Sequence, residues 1–360
     1  MNQHAVTPYG RGAGSSRVRV FSWIEHAQLS IQVHSYLSHH NADPRQLLKH
    51  PRRLFAAERD IRALVARRPA WLLLHREASP ISRGGLESSL LAAADLAVFD
   101  FDDALFEDRG DGALWRRMAP KAPKVLAAAK QADRVIAGND ILADWASQVA
   151  REVVVVPSCV AVEQYREKVD YRVSDPPRLV WIGSADNEAV LHTVARDLLE
   201  LNRRCGARLT LIGTTRPSLG QLEPIIDRYA WSEQVQHDAL ATADVGLMPL
   251  HDDPYSRGKC GYKLLQYGAV GLPAVASPVG TNASVLAALG LPGVGAGDSW
   301  LETVLAILEL SDSERALIGR TARARVVEQY SYQAWSGRWR QAVGLSHDIR
   351  VPGQVVGHPR

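Results

Sequence analysis

The chain has 360 residues, with 42 Lys+Arg against 39 Asp+Glu and a formal net charge of +3. Hydrophobic residues at 46% and charged residues at 22% exclude a wholly disordered chain, and no apolar run approaches the ~18 residues of a membrane span. The basic residues divide into 35 Arg and only 7 Lys. Such an arginine excess reads as background composition rather than a nucleic-acid surface, so any cluster of lysines needs its own explanation.

Residues 1–16 are polar and glycine-bearing, with no apolar stretch, and read as a flexible N-terminal tail rather than a secretory signal. Short β-rich runs then alternate with helical stretches. Strands are expected at 18–23, 71–75, 96–101, 134–137 and 153–156, and helices at 29–39, 54–67, 86–94, 113–131 and 140–150. Residues 163–178 are charged, carry Pro176-Pro177 and read as a linker. The alternation restarts with strands at 179–183, 209–213, 245–249, 274–277 and 293–295, and helices at 188–203, 232–243, 262–270 and 283–288; the chain is then helical to about 343. The expected fold is α/β: two doubly wound Rossmann-like domains, 17–162 and 179–329, facing across a cleft where strand carboxyl ends and helix amino ends converge. Residues 346–360 form a second polar tail. Cys159, Cys205 and Cys260 have neither zinc spacing nor a disulfide pattern, which fits a reducing cytoplasm. His39, His40 and His75 lack partners at metal-ligand spacing, and no strongly basic amphipathic face stands out as a membrane-docking surface.

Three segments carry chemistry. Strand 179–182 runs into Gly183-Ser184, either a plain tight turn or a cradle of backbone N–H groups for an anionic oxygen. The run Arg257-Gly258-Lys259-Cys260-Gly261-Tyr262-Lys263 places two of the seven lysines at the start of a helix. There a cation is unfavourable against the helix dipole, unless a diphosphate reverses the sign. Gln266 projects from the same helix face as Lys263. Asp100, Asp102 and Asp103 end a strand in a pattern that suits Mg²⁺ or Mn²⁺. A metal there would leave the lysine segment without a purpose, so these acids read better as pocket residues aimed into the cleft. Trp23 reads as core, with a cleft wall as the other reading.

The run from Lys259 to Asn282, with Asp244–Leu250 before it, resembles the donor-site segment of retaining, nucleotide-sugar-dependent glycosyltransferases of family four. His75-Arg76-Glu77 and Phe99–Ala104 are similar to the acceptor-domain strand ends of bacterial members, and Arg323–Trp339 to the closing helices. The resemblance implies a B-type glycosyltransferase that is metal-independent and cofactor-free, with residues 330–345 packed back on the first domain. Its partners would be a nucleotide sugar and a small-molecule or glycan acceptor, not nucleic acid. Lys263, Lys259, Asp102 and Asp103 become the catalytic set. Gly183, Ser184, Trp231, Arg257, Lys259, Lys263 and Gln266 would hold the donor. Trp23, Arg76, Glu77, Asp100, Asp102 and Asp103 would face the acceptor, an aminated cyclitol of natural-product pathways suiting so many acids. Three departures stand out: Gly258 and Gln266 occupy the places of paired glutamates, the basic pair after Gly183 is missing, and Ser22–Glu25 replaces a glycine-rich first loop. They motivate an alternative, a non-catalytic sugar-nucleotide-binding or partner protein. A nicotinamide-dependent oxidoreductase is less supported, since neither domain opens on G-x-G-x-x-G.

Overall fold

The computed structural model describes residues 2–37, 51–107 and 120–345. Six parallel strands form a first sheet: β1 (Gln3–Tyr9), β2 (Gln32–Leu37), β3 (Trp71–His75), β4 (Leu96–Phe101), β5 (Arg134–Ala137) and β6 (Val153–Val155), in the order β2-β1-β3-β4-β5-β6. Five more form a second: β7 (Arg178–Ile182), β8 (Arg208–Gly213), β9 (Ile226–Ala230), β10 (Val245–Met248) and β11 (Ala274–Ala276), in the order β11-β10-β7-β8-β9. Every pairing is parallel. Central strands are accordingly buried on both faces, as Leu72, Leu73 and Leu74 are.

The longer helices among the described residues, in chain order, are α1 (residues 14–26, with a π turn over Arg17–Phe21), α2 (Pro51–Arg67), α3 (Gly85–Ala93), α4 (Ala122–Gln131), α5 (Asp140–Ala146) and α6 (Ala195–Cys205). They continue with α7 (Glu233–Thr242), α8 (Tyr262–Val270), α9 (Thr281–Leu289), α10 (Trp300–Glu309), α11 (Asp312–Tyr330) and α12 (Tyr332–Ala342). Caps explain several starts: Asn139, Ser232 and Ser299 each accept a backbone N–H three residues on, and Ser311 with Glu314 makes a full capping box.

The first 37 residues depart most from expectation. Gln3–Tyr9 is no tail but an interior strand, bonded to β2 on one side and β3 on the other. Its sequence hides this because polar groups sit inside it with local partners. His4 contacts His34 at 3.0 Å and Asn2 at 2.9 Å, and Thr7 Oγ1 lies 2.6 Å from Ser16 Oγ. Residues 18–23 are helical rather than extended: Val20 and Trp23, three apart, share one face of α1 that packs into the first domain's core, and Val18 and Arg19 are buried as well. Residues 32–37, expected within a helix, are the edge strand β2. The early part of the helix expected at 113–131, and His39 and His40, lie outside the described residues. β9 was not anticipated, and the strand expected at 293–295 is only the single bridge Ala276–Gly293.

The segment 163–178 is packed rather than loose. The Lys168 N–H donates to the Val270 carbonyl at 2.8 Å, Tyr171 Oη donates to the Gly271 carbonyl at 3.0 Å, and Arg315 Nε donates to the Tyr171 carbonyl at 2.9 Å. After α11 the chain returns to the first domain. Trp339 of α12 stacks on Trp23 with centroids 4.9 Å apart, Tyr332 Oη donates to the Val18 carbonyl at 2.8 Å, and Trp71 Nε1 donates to the Val343 carbonyl at 2.7 Å.

Candidate active site

Both sheets reverse their winding direction between two neighbouring strands, β1 and β3 in the first and β7 and β10 in the second. Loops leave those strands in opposite directions and open a crevice at the carboxyl edge. His75 and Arg76 at the end of β3, Gly183 and Ser184 after β7, and the lysine segment after β10 lie at these two places.

In the first domain, β1 leads through Gly10, Gly12 and Gly14 into α1. The glycine-rich first loop is thus present, twelve residues earlier than the misplaced strand suggested. It delivers Ser15 to the ends of β3 and β4. Ser15 Oγ lies 2.7 Å from His75 Nε2 and 2.9 and 3.0 Å from the two carboxylate oxygens of Asp102. His75 Nδ1 is 2.8 Å from Asp100 Oδ1, and Arg19 grips both Asp100 oxygens at 3.1 and 2.5 Å. The Asp100 and Arg19 side chains are buried, a pair whose charges are worth holding only together. Arg76, in the left-handed region at φ 62°, reaches Asp102 at 2.6 Å and also Asp103. Burial by itself would raise the Asp102 carboxyl, but Arg76, His75 and Arg19 together hold it below the usual range. Asp100 is depressed in the same way, burial being outweighed by Arg19 and His75.

Two expected acceptor residues lie elsewhere. Glu77 turns inward to buried Lys124 at 2.6 Å, and Lys124 also donates to the Ser79 carbonyl at 2.7 Å, so this pair ties α4 to the loop after β3. Trp23 is core, 1% exposed, between Trp339 and the edge of Tyr332. Its position on α1, rather than at a strand end, directs it under the sheet.

In the second domain, the loop after β10 ends at Gly261, whose left-handed φ of 65° lets α8 begin abruptly. Lys263 in the first turn lies over the Trp181 ring at 5.3 Å, and that ring folds back under Gly183, where a Cβ would come within 2.5 Å of it. One indole therefore joins the Gly183-Ser184 turn to the lysine segment. Desolvation and the charge of Lys259, only partly offset by Asp103, lower the Lys263 amine to about 7. Lys259 sits over Tyr255 at 5.2 Å, while Arg257 is exposed and paired with Asp252 at 2.6 Å. Gln266 is buried, its amide donating to Tyr165 Oη at 3.0 Å. Gln236 donates to the same oxygen at 3.0 Å and accepts from Trp231 Nε1 at 2.9 Å. A chain of hydrogen bonds thus links Trp231 to Gln266. Arg17 of the first domain lies 4.8 Å over the Trp231 ring.

The two halves touch. Asn139 Nδ2 donates to the Gly258 carbonyl at 3.0 Å, and the Cys260 thiol donates to the Asp102 carbonyl at 3.2 Å. A Cβ on Gly258 would lie 2.6 Å from that of Ala104, so no glutamate fits there at this domain separation. Beside this contact a cavity of about 610 Å³ opens between the domains, with Asn139, Cys260, Thr281, Ser284, Tyr330 and Trp335 in its lining. Sequence reading overlooked Ser15, Arg19, Asn139, Tyr165 and Gln236. Of these only Ser15 carried a local signal, the glycine spacing at 10, 12 and 14.

Two Rossmann-like domains with sites at facing switch points define the fold of the B-type glycosyltransferases. Residues 176–310 match the family model described as "Glycosyl transferases group 1". A search of curated proteins finds no match. Among solved structures, WaaG, a glycosyltransferase involved in lipopolysaccharide biosynthesis, is similar at 13% identity with a TM-score of 0.65, covering 96% of this chain and 100% of that one. Anabaena HepE, solved with UDP-glucose, is similar at 12% identity and TM-score 0.65, covering 95% and 98%. The N-terminal domain of Candida albicans trehalose-6-phosphate phosphatase is similar at 11% and 0.61, covering 95% and 98%. At these identities the likeness defines the fold alone.

Proposed function

We propose that the protein transfers a sugar from a nucleotide-diphosphate sugar to an acceptor hydroxyl, with retention at the anomeric carbon and without a metal. One observation carries the reading: Lys259 and Lys263 stand at the amino end of α8, facing the Asp102-Asp103 strand end of the other domain. Two cations at a helix amino terminus are electrostatically misplaced until a diphosphate lies between them. In turnover, these lysines and the Gly261 turn would stabilise the charge developing on the departing diphosphate. Gly183 and Ser184 would approach its other side, with Trp231 and Gln266 toward the nucleoside.

Asp102, with Arg76 and His75 behind it, would orient the acceptor hydroxyl, and the donor's own phosphate oxygen can take the proton. Asp100, Asp102 and Asp103 suit a divalent cation poorly, because each carboxylate is already paired with the guanidinium of Arg19 or Arg76. The same pairing offsets two of the three carboxylate charges, so a hydroxylated acceptor needs little positive charge of its own, and an aminated cyclitol would meet one uncompensated acid rather than three. The test is donor-dependent transfer or donor hydrolysis across UDP-, GDP- and dTDP-sugars, after thermal-shift ranking of the nucleotides. Activity abolished by EDTA and restored by Mn²⁺ would overturn the metal-free mechanism.

A second reading, a non-catalytic sugar-nucleotide binder, draws on Gly258 packed against Ala104 and on Gln266 tied to Tyr165. Saturable nucleotide binding without turnover across the whole panel would favour it.

A further inference from the structure

The hydroxyl of Ser15 already stands where the proposed mechanism puts an acceptor hydroxyl. It donates to the Asp102 carboxylate, whose two oxygens lie at 3.0 and 2.9 Å, and His75 Nε2 is 2.7 Å from its oxygen. His75 is held from behind by Asp100 at 2.8 Å, and Asp100 by Arg19. Whichever way the His75 proton lies, Oγ keeps a lone pair for a bond to carbon.

Ser15 is also reachable. It sits in the first turn of α1 and is partly exposed, whereas the next residue, Ser16, is buried with its hydroxyl 2.6 Å from Thr7 Oγ1. A Cβ on Gly14 would meet nothing within 4 Å, so the space beside Ser15 is open. Across the cleft, Cys260 of the lysine segment donates to the Asp102 carbonyl at 3.2 Å, so that segment and Ser15 flank the same strand end. The row Ser15, His75, Asp100 has the spacing of a hydrolase triad, but its surroundings suit another electrophile. Asp100, Asp102 and Asp103 are met by two guanidinium groups, those of Arg19 and Arg76, which leaves one carboxylate charge in excess. The oxyanion of an acyl intermediate would be repelled there. An anomeric carbon that turns cationic as its diphosphate departs would be attracted.

We propose that Ser15 is itself a glycosyl acceptor: with donor bound and no external acceptor present, the protein transfers the sugar to its own Ser15 Oγ. The proposal rests on the sugar-transfer reading above. The bond from the anomeric carbon to the diphosphate oxygen breaks as the bond to Oγ forms, and the departing phosphate oxygen takes the serine proton. The products are a Ser15 O-glycoside and free nucleoside diphosphate. The attached sugar lies in the acceptor crevice, so the modified protein is closed to external acceptors.

The experiment incubates the full chain with UDP-, GDP- and dTDP-sugars in turn, without acceptor, and reads intact mass together with release of nucleoside diphosphate. A mass gain of a single glycosyl residue is expected with the donor the protein uses, and peptide fragmentation should map it to Ser15 rather than Ser16. The mapping is made on the wild-type protein, so it does not depend on how any variant folds. Ser15→Ala should lose the adduct, and Lys263→Met should slow its formation on the order of 10²–10³. Nucleoside diphosphate released with no adduct would overturn the proposal and leave sugar transfer standing. An adduct on any other residue, or one kept in full by Ser15→Ala, would do the same. Neither adduct nor release with any donor would overturn both readings.

Discussion

Replacing Lys263 by methionine tests the diphosphate site most directly. The amine is already lowered to about 7 by desolvation and by Lys259, so in the free protein at pH 8 roughly nine-tenths of it is neutral. A bound diphosphate favours the charged form, so donor binding at that pH should take up close to one proton. Affinity should accordingly weaken up to about tenfold per pH unit as the pH rises above 7. Calorimetric titration of the nucleoside diphosphate in buffers of differing ionisation enthalpy reads this uptake. In Lys263→Met it should fall to near zero, and turnover should drop on the order of 10²–10³, the loss typical of one preorganised group (about 2.7–4 kcal/mol). Stability in the absence of ligand should move oppositely. Between pH 7 and the ordinary lysine value of 10.5, the unfolded chain holds the proton that folded Lys263 has lost. The wild type therefore gains stability with rising pH across that window relative to Lys263→Met. Near-normal turnover of the variant, or proton uptake unchanged by the substitution, would refute the reasoning.

Asp100→Ala should cost about 3–5 kcal/mol in denaturant unfolding, because it strands the buried Arg19 charge. Trp23→Ala should cost about 3–5 kcal/mol by emptying the space between Trp339 and Tyr332, and its acceptor KM should stay near the wild-type value if the residue is core. Gly258→Glu should force the domains apart at Ala104, and small-angle scattering should record a larger radius of gyration than in the wild type.

The sequence was most legible where strands are continuous apolar runs. Trp71–His75, Leu96–Phe101 and Arg134–Ala137 were read with their bounds intact, because burial on both faces leaves hydrophobicity no competitor. It misled where a buried strand is built from His4, Thr7 and small residues, whose polar atoms are satisfied by His34, Asn2 and Ser16. That one error moved the first glycine loop and turned α1 into a strand; Trp23, placed by it at a strand end and given to the acceptor by the resemblance, is core, as the residue itself read. The lysine segment was legible because a helix start and its charges are local, whereas the fate of Glu77 depended on Lys124, 47 positions on.

By itself, then, the sequence determined the two-domain α/β architecture and the place of the lysines at a helix amino terminus, since both follow from periodicity and spacing within about a dozen residues. Tertiary structure decided that Asp100 pairs with Arg19 and Glu77 with Lys124, and that Gly258 faces Ala104. Those outcomes turn on pairings between residues far apart in the chain, where electrostatics and packing act through space and leave no trace in local pattern.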